Sequence, residues 1–352
     1  MDNMGKHFIS LLLFFGFASS TIANDQAATA RWDRNDAMAA IQSANIGVAI
    51  SEIGDISSLA DGATTLRKLR ALETRGDWPL PAREAAIYQF TRSLAEVPRD
   101  AVAVEVMQHL QNYQARALVP HEERLDVYVP LFNIRGLATG VENTWQRAES
   151  AAEAIQLLEA NPAALTRAYA QSSSHPQRSG YLDALQQADM NTVWSVQDVA
   201  LEQLEENPGL TALLARTAVI TTDIFAVQQL LINGQGAGLS SALAQLDTRL
   251  QVSESAELLA FAIQHAPATN ATLAIAAWWP RLKHDPATRD LLIGSLADPA
   301  LGAAAALALA QSPDIQTIRA LQLAAKGGSN AAKRAQMALD LDRAGLAPGG
   351  RP

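Results

Sequence analysis

The sequence predicts an all-α fold, a right-handed stack of helical hairpins that is less regular toward its N-terminus. Three observations carry this. Helix-start signals recur near the C-terminal end: Asp285-Pro286, Asp298-Pro299 and Ser312-Pro313 each set a capping residue before a proline, and Ser329 follows Gly327-Gly328. A capping oxygen accepts from an orphan amide, a proline at the first helical position gives up no bond, and glycine suits a left-handed helix stop. These starts are separated by 13, 14 and 17 residues, so alternate starts recur after 27 and 31, as in stacked helical pairs. Composition agrees: the chain is 49% hydrophobic but only 5% aromatic, and alanine-rich sequence favours helices over a β-sandwich.

Taken in order, the chain opens on Lys6 and His7, an apolar run from Phe8 to Ala18, and small residues up to Ala23. That three-part pattern predicts a secretory signal peptide over residues 1–23, whether translation starts at Met1 or Met4. An apolar run of 11 residues is too short to span a bilayer as a helix. The expected compartment is the periplasm, with release from the cell as the alternative. No cysteine occurs, which excludes disulfides, thiolate metal sites, a cysteine nucleophile and a lipid-modified cysteine.

Residues 24–233 read as an irregular helical-hairpin region. Asn35-Asp36 opens a first helix, and Ile46 to Asp61 reads as helix broken near Gly54. Leu66, Leu69 and Leu72 share one face of the next. After Trp78-Pro79-Leu80-Pro81, one helix carries Phe90 and Leu94 and its expected hairpin partner carries Met107 and Leu110. Gln114 to Pro130 reads as an irregular connection, followed by a helix to Gly140 and a second one bearing Trp145, Ile155 and Leu158. The run Ser172 to Gly180 is wholly polar and reads as an exposed loop. Asn191 and Asp223 read as caps of two further helices, and Gly234 to Gly238 as a flexible joint between this region and regular repeats over residues 239–346. Residues 347–352 read as a disordered tail.

The segment from Pro299 to Gln311 is alanine and leucine on all sides, so it needs covering on more than one face. Ile315, Ile318, Leu321 and Ala325 share a stripe, as do Leu292 and Leu296. Alanine permits close approach but buries little area, so one hairpin needs its neighbours. On the residues SLADPALGAAAALALAQ, an aspartate-proline turn followed by an alanine-leucine helix, the chain resembles HEAT-like helical repeats of an α-solenoid. The resemblance covers residues 283–346 and departs where an arginine often follows the turn: Gly302 and Ala303 stand there. It implies scaffolding or partner recruitment.

Candidate chemistry is sparse. Beyond the signal region stand His109, His121, His175, His265 and His284, none three or four residues from another, so a two-histidine metal motif is missing. His121-Glu122 begins a metalloprotease-like pattern, but Leu125 holds the position that would complete it. Ser174-His175 lacks a nucleophile turn. GQGAG before a helix matches neither nucleotide-binding spacing. Trp278-Trp279, like Trp78, Trp145 and Trp194, reads first as core and second as groove lining. The net charge of −9 argues against general nucleic-acid binding.

The expected function is an exported scaffold that presents a groove to a protein, a peptide or an envelope polymer, with no cofactor and no catalysis. His121, Glu122, Glu123, Arg124, His175, Arg178, Trp278 and Trp279 are the candidate binding-surface residues. Any concave face should be lined by the second helix of each hairpin. The rival is an all-α envelope enzyme, a cell-wall polymer hydrolase or lyase with its site in residues 114–180; a structural envelope protein without a groove is a third reading.

Overall fold

The structure, a computed structural model, describes residues 29–53, 61–311 and 314–343. The expected signal peptide, the break near Gly54, the Ser312-Pro313 start and the tail over 347–352 lie outside the described residues. The fold is all-α, with one small three-stranded sheet among the described residues. Its contacts divide the chain into two units between Val141 and Glu142.

In the first unit, β1 (Ala30–Arg31) is followed by α1 (Arg34–Gln42), α2 (Ile46–Ile53), α3 (Gly62–Glu73), α4 (Leu80–Ser93) and α5 (Ala101–Gln111). A hairpin of β2 (Ala117–Pro120) and β3 (Tyr128–Pro130) comes next. The centre is α4, where Ala82, Ala86, Ile87 and Phe90 are fully buried and which packs against α1, α2, α3 and β2. Two expectations are corrected here. Helix α5 lies mainly on α3 rather than forming a simple hairpin with α4; a helix buried nearly all round has more neighbours to satisfy than the next one in sequence. Gln114 to Pro130 holds strands rather than only irregular chain. Leu118, Val119 and Pro120 pair with Pro130, Val129 and Tyr128, while Ala30 and Arg31 run parallel to Ala117 and Leu118.

The division falls within α6 (Ile134–Ala160). The sequence suggested two helices parted at Gly140. One helix forms because a mid-helix glycine costs only about 1 kcal/mol, and Ile134, Ala138, Val141 and Trp145 keep a buried stripe through it.

In the second unit α6 leads to α7 (Pro162–Gln171), α8 (His175–Ala184), α9 (Met190–Gln203), α10 (Thr211–Thr221), α11 (Ile224–Asn233) and α12 (Gly236–Asp247). The rest are α13 (Val252–His265), α14 (Ala268–Leu282), α15 (Pro286–Ser295), α16 (Gly302–Ala310), α17 (Ile315–Ala324) and α18 (Asn330–Arg343). From α9 onward each helix packs on the next but one, which makes two rows: α9, α11, α13, α15, α17 and α10, α12, α14, α16, α18. One continuous core runs from Ala154 to Leu339. As its composition requires, α16 is covered by α14, α15 and α18.

The second row is the more closely packed, and small residues allow it. A Cβ added at Gly238 of α12 would lie 2.9 Å from the Ala212 Cα of α10. Gly238, at the end of the GQGAG segment, is therefore a point of close approach inside this unit, while Gly234 caps α11 and Gly236 takes a positive φ of 67°.

Polar side chains stitch successive pairs together. Asn270 Nδ2 donates to the Leu231 and Gly234 carbonyls, both at 3.0 Å. Trp278 Nε1 donates to Leu243 at 3.1 Å, Arg281 to Asp247 and to Leu250 at 2.9 Å, and Arg334 to Leu296 at 2.8 Å and Asp298 at 2.6 Å. Partners lie 31 to 39 residues apart. Most of these carbonyls stand at helix C-terminal ends, where no intrahelical donor remains and a cation is favoured.

Caps read from sequence hold at Asp223, Asp285 and Ser329. Others shift by a residue or two: Asp33, not Asn35, caps α1, Asp189, not Asn191, caps α9, and Asp314 caps α17. Asp298 accepts from Ala300 and Leu301, which closes the turn before α16. Ile315, expected on a buried stripe, is 63% exposed, and Thr317 takes the buried place with its hydroxyl on Asp314 at 2.6 Å.

Candidate functional site

The residues singled out in the sequence fall in different settings. His121, Glu122, Glu123 and Arg124 occupy the β2–β3 hairpin tip in the first unit. His121 Nδ1 accepts from the Glu123 amide at 3.2 Å, which puts the proton of a neutral ring on Nε2, and Glu122 pairs with Arg34 at 2.9 Å. Glu122, Glu123 and Arg124 are exposed, as on a solvated turn.

His175 and Arg178 belong to the second unit, and the loop expected around them is the helix α8. Several of the polar groups in and beside it bond to one another. Ser174 caps it, Ser172 Oγ donates to Gln177 Oε1 at 2.7 Å, Gln177 Nε2 donates to the Tyr181 hydroxyl at 2.8 Å, and that hydroxyl donates to Glu153 at 3.2 Å. Gly180 is no breaker: any Cβ there would collide with the Arg147 carbonyl of α6, so it permits α8 to lie against that helix. His175 is exposed, and Arg178 covers the Tyr169 ring at 5.4 Å.

Trp278 and Trp279 are fully buried and line no surface. Trp145 is core as well, Trp78 lies under Arg75 at 4.7 Å, and Trp194 is partly exposed.

Glu84, on α4, is a buried carboxylate that the sequence did not single out. Its oxygens accept from the Arg116 amide at 2.6 Å and the Ala117 amide at 3.3 Å, and Tyr113 reaches it at 3.4 Å. Burial pushes its pKa up against those bonds, and burial also raises that of Tyr113. The bonds are internal and tie the start of β2 to α4, which is an anchoring role.

One concave site in the second unit brings charged side chains together, a groove of about 240 Å³ where α8, α10 and α12 adjoin α6. Small residues Ala212, Ala215, Gly238 and Ala242 form walls, and Ser179, Ser241 and Gln245 supply polar atoms. Its charged residues are Arg147, Asp183 and Arg216. Arg147 grips Asp183 through two nitrogens, Nε to Oδ2 and Nη2 to Oδ1 at 2.8 Å, and this bond raises the arginine's pKa.

Arg216 differs. It is half-buried, and Nε donates to the Leu182 carbonyl at 3.3 Å. Burial first, then the charges of Arg249 and Arg147, push its pKa down, while Asp183 pulls it up. Among the described residues no carboxylate lies within ion-pair distance of it, and Asp183 is held by Arg147. A signal for it was in the sequence: Arg216 is the single charged residue of TALLARTAVIT. Its partners Arg147 and Asp183 are 36 residues apart, and nothing local marks them.

Among the described residues there is no cluster of three or more histidine or carboxylate side chains able to hold a metal, and no helix long and apolar enough to cross a membrane. Comparison with family models, with curated proteins and with solved structures finds no match for this chain.

Proposed function

We propose that this protein is an exported helical-repeat scaffold, a HEAT-like solenoid that holds a protein, peptide or envelope polymer along its second helices and performs no reaction of its own. The observation that carries the reading is the groove between α8, α10 and α12, with a half-buried arginine beside a lining carboxylate, Asp183, that is held by another arginine. The two helical rows and the stitches between successive pairs support the repeat reading. Closer packing on the second row suits a stack that curves toward that row, and the groove lies on it. The signal-peptide pattern of residues 1–23 supports the periplasm, with secretion as the alternative.

A photo-crosslinking residue tests this reading. Placed at Gln245 in the groove, it should capture a partner from the envelope fraction in fixed ratio; placed at the exposed Glu257 of α13, it should not. Equal labelling at both positions would reject the groove. Turnover of an envelope polymer by the purified protein would favour the all-α enzyme instead.

A further inference from the structure

We infer that the groove takes one carboxylate of a peptide partner, gripped by the terminal nitrogens of Arg216; this rests on the scaffold reading. Nε of that guanidinium is committed to the Leu182 carbonyl, while neither terminal nitrogen has a hydrogen-bond partner among the described residues. A guanidinium presents its donors in a planar fork that matches the two oxygens of a carboxylate. An anion there favours a half-buried cation that shares the lining with Arg147.

Charge selects among anions. Arg147 and Asp183 cancel each other, so Arg216 leaves one uncompensated positive charge in the lining. One carboxylate balances it. A phosphate monoester, at about −1.5 to −2 near neutral pH, would set excess negative charge beside Asp183. Size selects further. About 240 Å³ falls below the roughly 300–1,000 Å³ of pockets that enclose whole small molecules, yet it admits an acidic side chain or a C-terminal residue. Ala212, Ala215 and Ala242 offer apolar contact to a short methylene stem, and Ser179 and Ser241 offer neutral hydrogen bonds beside the charge.

The test titrates the full chain, followed by NMR, with four short peptides: acetyl-Ala-Glu-Ala-amide, its glutamine counterpart, and acetyl-trialanine with a free or an amidated C-terminus. An acid should bind about tenfold or more tighter than its neutral counterpart, as expected for hydrogen bonds to a charged group. Preference for the glutamate peptide names a side chain as the source, and preference for free trialanine names a chain terminus. Arg216→Gln should abolish the preference, and Arg216→Lys, which keeps the charge without the fork, should retain part of it. Circular dichroism checks that each variant is folded; if the glutamine variant is not, the lysine variant decides. Equal affinity for acid and neutral peptides, no binding by any of them, or a preference that survives at Arg216→Gln overturns the inference. Neutral peptides that bind in the groove would leave the scaffold standing while the carboxylate falls, whereas polymer turnover would remove the scaffold itself.

Discussion

The indole Nε1 of Trp278 donates to the Leu243 carbonyl at 3.1 Å, so a side chain of α14 is held by the backbone of α12, one helical pair earlier. Both residues are buried. Trp278 thus belongs to the seam between pairs rather than to a ligand surface. Trp278→Phe removes this bond and part of the ring, and should cost about 2 kcal/mol. Trp278→Ala should cost about 3–5 kcal/mol. Urea unfolding at fixed pH measures both; no loss for either would show that the seam contributes nothing.

Close approach of the second helices makes a contrast between two glycines. Gly238→Ala would drive a methyl toward the Ala212 backbone, and overpacking of this kind costs about 1–3 kcal/mol. Gly294, in α15, has nothing within 4 Å of an added Cβ. Gly294→Ala should be neutral or stabilise by up to about 1 kcal/mol. Thermal melts of the two variants should move in opposite directions or, at least, only the first should fall.

The buried Glu84 predicts an unusual pH response. Its folded-state pKa is raised by burial, so the native state holds the proton more tightly than the unfolded chain. Its contribution is then greatest below the unfolded value, about 4.3 for glutamate, and is lost as pH rises through the folded value. Glu84→Gln lacks this titration. The stability of wild type relative to Glu84→Gln should therefore fall between pH 4 and pH 8, as read from paired urea curves. A gap that widens with pH would reverse the assignment.

Asp223 joins two elements. It accepts from the Phe225 and Ala226 amides at 3.2 Å each and from the buried Gln197 at 2.8 Å. Asp223→Ala removes the cap and leaves a buried amide unpaired, a loss of about 2 kcal/mol. Asp223→Asn, still a good cap, should recover much of it in the same denaturation assay.

Much of the candidate site was hidden for a definable reason. The histidine and tryptophan candidates were chosen by residue type, yet the hairpin tip is solvated and the tryptophans are interior. The charged groups of the groove are one residue, Arg216, that local sequence marks, and Arg147 and Asp183, which meet only when α6 and α8 lie together. The run Ser172 to Gly180 misled because it is a capped helix in which Ser172 and Gln177 bond to each other and on to Tyr181, whereas composition alone reads such a stretch as an exposed loop.

By itself the sequence determined the all-α class, the start of most C-terminal helices to within two residues, and the need for α16 to be covered on several faces. Those follow from capping chemistry and side-chain periodicity, which act over a few neighbouring residues. Only the tertiary structure decided which helix rests on which, that Gly180 and Gly238 are points of close approach, and that Arg216 faces a groove with its carboxylate neighbour already taken. These depend on distances between residues 24 to 39 positions apart in the chain, where no local rule reaches.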